Sequence, residues 1–66
     1  MTMSGKEVVR LLLDHGWVID RIHGSHYIMV KGNQTITVPV HGNQDLKPGL
    51  LNAILKQAGL KYAPPP

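Results

Sequence analysis

The sequence predicts an α+β domain in the order α-β-β-β-α, with a three-stranded antiparallel sheet and two helices packed on one face. Three observations predict it. Each end of the chain carries an apolar stripe at helical spacing that stops at a glycine. Between them lie three short runs rich in β-branched and aromatic residues, separated by glycine turns. The length, 66 residues, allows one small domain, and two helical stripes are most cheaply buried side by side on one face of a twisted sheet.

The first element begins at a capping box, Ser4-Gly5-Lys6-Glu7. The Ser4 hydroxyl can accept from the Glu7 amide while the Glu7 carboxylate reaches back to the Ser4 amide. Val8, Leu11 and Leu12 follow on one helical face, with Val9 and Leu13 widening it. Lys6, Glu7, Arg10 and Asp14 fall opposite. Gly16 supplies the left-handed residue that ends a helix, expected from about Gly5 to His15. His15 then stands at the C-terminus, where the dipole favours a cation or a donor.

Trp17 to Ile22 reads as a strand, with Trp17, Ile19 and Arg21 on one side and Val18, Asp20 and Ile22 on the other. Trp17 and Ile19 are the expected core face, because the opposite choice buries Asp20. His23-Gly24-Ser25 is the turn, and the second strand runs from His26 to Lys31. Here alternation alone does not choose a face. Tyr27 and Met29 lie on one side, and His26, Ile28 and Val30 on the other. Gly32-Asn33-Gln34 is a second turn, followed by a strand over Thr35 to Val38 with Ile36 and Val38 inward. Pro39 has no amide hydrogen and ends that strand or marks an edge.

Val40 to Lys47 reads as a polar connection, and Pro48 suits the first turn of a helix. Leu50, Leu51, Ile54, Leu55 and Ala58 form its stripe. Gly59 ends it, with Leu60 folding back as in a Schellman closure. The domain is therefore expected over residues 1–60, with 61–66 a short proline-rich tail. The α-β-β-β-α order is the one used by double-stranded-RNA-binding domains, but a shared fold does not by itself carry a shared activity.

Composition narrows the partner. Seven Lys and Arg against four acidic residues leave a net charge of +3, with an isoelectric point near 9.6. That balance favours a polyanion, nucleic acid before membrane. With no cysteine, disulfide staples and thiolate metal sites are excluded. No apolar run approaches the roughly 20 residues that cross a bilayer. Met1 to Gly5 lacks a basic region leading into an apolar one, so no signal peptide is expected. The expectation is a soluble, cytoplasmic protein.

Three stretches then combine: Gly24-Ser25-His26; Thr37-Val38-Pro39-Val40-His41-Gly42; and Leu50 to Leu60. In register over Lys6 to Leu60 they resemble the HicA toxins of bacterial HicAB toxin–antitoxin systems. The resemblance implies a double-stranded-RNA-binding-like fold, a ribosome-independent mRNA endonuclease of stress response, and a HicB-like antitoxin that binds and blocks it. The family's catalytic histidine, in the Gly-Ser-His motif, maps onto His26. Two departures are visible. Gly49-Leu50-Leu51 stands where the family commonly has Gly-Thr-Leu, and the short turn at Gly32 replaces a longer, more basic hairpin tip, so no RNA contact is assigned there.

The residues support that chemistry. RNA carries its own nucleophile, the 2′-hydroxyl, so cleavage needs a base for its proton, an acid for the departing 5′-oxygen, and positive charge, but no metal or other cofactor. Imidazole titrates near neutrality and suits both proton transfers. A single histidine, His26, is the expected general acid/base, with Gly24, Ser25 and Tyr27 shaping its site. No clear second group is read from the sequence; Tyr27, Ser25 and His41 are the candidates. Arg21, Lys31, Lys47 and Lys61 are the expected RNA contacts, although each alone is also an ordinary solvated charge. His23 and His26, even with His41 or His15, are not read as a metal set, because there is no cysteine, no His-rich run, and no carboxylate near the pair in sequence except Asp20. The expected partners are the antitoxin and mRNA, single- or double-stranded, with no membrane and no DNA bound by this chain alone. Two alternatives share these features: a non-catalytic RNA-binding module and a scaffold for protein association.

Overall fold

The computed structural model describes residues 2–60; Met1 and the proline-rich segment 61–66, which includes Lys61, lie outside the described residues. The order is α1 (Gly5–Asp14), β1 (Val18–His23), β2 (His26–Lys31), β3 (Gln34–Pro39) and α2 (Pro48–Gln57). The sheet is antiparallel in the order β1-β2-β3. α1 packs against all three strands and α2 against β3. Both helices join Met29, Ile36 and Val38 of the sheet in one core cluster, so the α+β prediction with both helices on one face holds.

Both helix ends close as their sequences require. The Ser4 amide donates to Glu7 Oε1 at 2.9 Å, and the Glu7 amide donates to Ser4 Oγ at 3.2 Å. At the other end, Gly16 has φ 89. Trp17 N–H donates to the Leu12 carbonyl and Gly16 N–H to that of Leu13, the paired bonds of a Schellman motif. The same pattern ends α2, where Gly59 (φ 73) precedes Leu60, which donates to Leu55. His15 Nδ1 donates to the Leu11 carbonyl at 2.9 Å, the donor role expected at a helix C-terminus.

The connection before α2 is less polar in effect than its composition reads. Val40 and Leu46 are buried in the core. Leu46 N–H donates to the Met3 carbonyl at 2.8 Å, and Asp45 bridges Ser4, which stitches the chain entering α1 to the chain entering α2. Leu50 and Leu13, assigned to the helical stripes, are instead exposed. α1 starts so close to the exit of β3 that a methyl on Gly5 would collide with the Pro39 carbonyl and crowd Val40 Cα. Backbone cannot yield as a flexible side chain can. Gly5→Ala is therefore expected to destabilise the domain by about 1–3 kcal/mol, read as a lower midpoint in urea. An unchanged midpoint would show that α1 does not need this approach.

Both hairpins turn through two residues rather than three. Gly24 (φ 64) and Gly32 (φ 57) occupy the first central positions, with Ser25 and Asn33 not at positive φ, the signature of type II′ turns. His23 therefore pairs with His26, and Lys31 with Gln34. The second turn sets Met29 opposite Ile36 and Tyr27 opposite Val38. The unambiguous apolar face of β3 thus decides the face of β2: Met29 is fully buried, and His26, Ile28 and Val30 lie on the helix-free face.

β1 meets a conflict. Counting back from His23↔His26 without interruption would set Asp20 opposite the buried Met29. A bulge intervenes: Arg21 pairs with Ile28 and Ile19 with Met29, leaving Asp20 out of register and exposed. One extra residue keeps a carboxylate out of the core, whose burial would cost several kcal/mol. The turn thus puts Arg21 on the outer face, against the expected alternation, while the bulge keeps Ile19 on the helix side. Trp17 is buried as expected, at 1% exposure, but Ile19 is not. Ile19 lies on the helix side of an edge strand at 38% exposure, where α1 does not fully cover it.

Candidate active site

The helix-free face at the first turn presents a compact group of side chains. Arg21, His23, His26 and Ile28 line one shallow depression, built from two adjacent cross-strand pairs, His23↔His26 and Arg21↔Ile28. Both histidines and Arg21 are exposed. On its other side His26 pairs with Pro39. Just beyond, Val40 N–H donates to the Ser25 carbonyl at 2.7 Å. That bond brackets His26↔Pro39 as a non-hydrogen-bonded pair, so the missing Pro39 amide hydrogen leaves no gap in the ladder. The backbone of His26 is thus held from both sides while its ring faces water.

The other predicted site residues separate into three groups. Gly24 and Ser25 form the turn that sets His26 against His23. Among the described residues nothing stands within 4 Å of where a Gly24 side chain would begin, so its φ of 64, and not space, is what calls for glycine. Tyr27 lies on the helix-covered face, half-buried against the core, the opposite side from its neighbour His26. Lys31 shares that covered side; its ammonium donates to the His15 carbonyl at 2.8 Å, at the negative end of α1. Lys47, the N-cap of α2, lines a second depression with Pro39, His41, Gln44, Asp45, Leu46 and Leu50. Pro39 stands between that depression and His26. Lys61 lies outside the described residues.

The arrangement brings forward His23, which the sequence reading assigned only to a turn. A Gly-X dipeptide between two strands is a recognised two-residue hairpin signal, and it could have placed His23 directly opposite His26. Chemically, two imidazoles beside a guanidinium can exchange protons near a bound anion, and among the described residues no carboxylate lines their depression. Among the described residues, no three His, Cys, Asp or Glu side chains are placed to hold a metal ion. No helix among them is long and apolar enough to cross a membrane.

A family model described as the HicA toxin of bacterial toxin–antitoxin systems matches residues 5–60, a span that takes in every helix and strand. No curated protein and no solved structure matches the chain.

Proposed function

Since the chain belongs to the HicA toxin family, toxins that imply an antitoxin partner, we propose that it is an endoribonuclease that cleaves mRNA in the cytoplasm without a metal, with His26 as general acid/base. The observation that carries the reading is the exposure of His26 on the helix-free face, in the same depression as Arg21. A ribose-phosphate needs both features: an imidazole it can reach, and a cation where the phosphorane charge develops. Arg21 serves the phosphate at the reacting centre. Lys47, beyond Pro39, meets the backbone further along the strand. A HicB-like antitoxin silences the enzyme by covering this face, and acidic residues on its contacting surface would complement Arg21.

The test is incubation of the purified protein with a defined RNA in excess chelator. Cleavage is expected to persist, to leave 2′,3′-cyclic phosphate and 5′-hydroxyl ends, to weaken as salt is added, and to fail on the matching 2′-deoxy strand. Products with 5′-phosphate ends, or activity that returns only with a divalent ion, would refute the mechanism. Salt-sensitive binding with no cleavage would favour the non-catalytic module.

A further inference from the structure

We propose that His23 is the second proton-transfer residue of this site, acting with His26 across one phosphodiester. The inference rests on the endoribonuclease reading and extends it. In-line displacement puts the attacking 2′-oxygen and the departing 5′-oxygen on opposite sides of phosphorus, so one imidazole cannot serve both at the same moment. The hairpin supplies two. His23 and His26 are the direct cross-strand pair flanking Gly24-Ser25, which places their Cβ atoms about 5 Å apart on one face of the sheet. From there each ring can come within the roughly 2.6–3.2 Å needed for proton transfer to one of the two oxygens. Arg21, next along β1 on the same face, meets the non-bridging oxygens between them.

The three candidates from the sequence do less well. Tyr27 is on the other face, Ser25 is half-buried in the turn, and His41 lines the neighbouring depression. The groups around the pair also suit it. β1 contributes Arg21, β2 contributes Ile28, and β3 contributes the neutral Pro39 and Thr37. His41, Asp45 and Lys47 stand in the adjoining depression.

The step balances with no further reactant. One neutral imidazole takes the 2′-hydroxyl proton as the 2′-O–P bond forms. The other, as imidazolium, gives its proton to the 5′-oxygen as the P–O bond breaks. The products are a 2′,3′-cyclic phosphate and a 5′-hydroxyl, and the two rings have exchanged protonation states.

The test compares His23→Gln and His26→Gln with wild type in single-turnover cleavage across pH, with circular dichroism to confirm folding. His23→Gln is expected to slow cleavage by about 10²–10⁴-fold and to remove one limb of a bell-shaped profile. A substrate whose scissile 5′-oxygen is replaced by sulfur separates the roles, because a thiolate departs without a proton. It should restore a near wild-type rate to one of the two variants and not to the other. Cleavage by His23→Gln within about twofold of wild type, with both limbs kept while His26→Gln is inert, overturns the inference and leaves the endoribonuclease reading standing. Sulfur that restores neither variant also overturns it, reducing His23 to a structural part of the hairpin. A wild-type protein that does not cut RNA overturns both.

Discussion

His26→Ala is expected to lower RNA cleavage by about 10²–10⁴-fold, the usual contribution of a positioned general acid or base, and to abolish growth arrest when the toxin is induced. The fold should survive it. His26 is exposed and makes no side-chain hydrogen bond within the described residues, and its backbone pairings with His23 and Pro39 do not depend on the ring. A surface change of this kind moves stability by no more than about 0.5 kcal/mol. The decisive comparison therefore measures cleavage and thermal melting on the same preparation. An alanine variant that melts like wild type and still cuts RNA at the wild-type rate would remove His26 from the mechanism. Loss of both properties together would mean that the residue holds the hairpin and does no chemistry.

Trp17→Ala is expected to have the largest effect on stability. Trp17 is among the largest fully buried side chains, at 1% exposure, and is clustered with Val8, Leu12 and Met29. Its backbone amide also closes the Schellman motif of α1, so the side chain enters the core where helix turns into strand. Truncating a buried tryptophan to alanine costs about 3–5 kcal/mol. A domain of this length has a net stability of roughly 3–10 kcal/mol, and with no cysteine there is no disulfide to make up the loss. The free protein should lose most of its cooperative melting transition. Trp17→Phe is expected to be far milder, since it keeps most of the volume and removes an indole N–H that is buried without a partner among the described residues. A cooperative melt of the alanine variant within a few degrees of wild type would show that the core does not centre on this residue.

The elements were legible because their signals are local. Ser4 and Glu7, Gly16, and the Gly59-Leu60 closure each satisfy backbone groups within a few residues, the first through side chains and the other two through the positive φ of glycine. The proposed catalytic histidine, His26, is singled out in the sequence by its motif. Its setting is not. Reading Gly32-Asn33-Gln34 as a three-residue turn left the faces of β2 undecided, whereas the two-residue turn ties Met29 to Ile36 and so sends His26 outward. Reading His23-Gly24-Ser25 the same way hid the pairing of His23 with His26. Lys31, a cation by composition, proved to be a cap for α1 on the covered face, because its position shares parity with Met29.

By itself, the order of residues determined which segments are helix and strand, where each helix stops, and that a Gly-Ser turn ahead of His26 joins two strands of a small basic domain. Tertiary structure alone decided which groups meet around that turn. The faces of neighbouring strands are coupled through register, and register depends on turn length and on one extra residue at Asp20. That bulge cannot be seen in the local pattern. It forms because the turn and the buried Met29 place competing demands on β1, and exposing a carboxylate is the less costly solution. The two-residue turn sets Arg21 opposite Ile28 on the outer face beside His23 and His26, and the bulge lets Ile19 stay on the helix side.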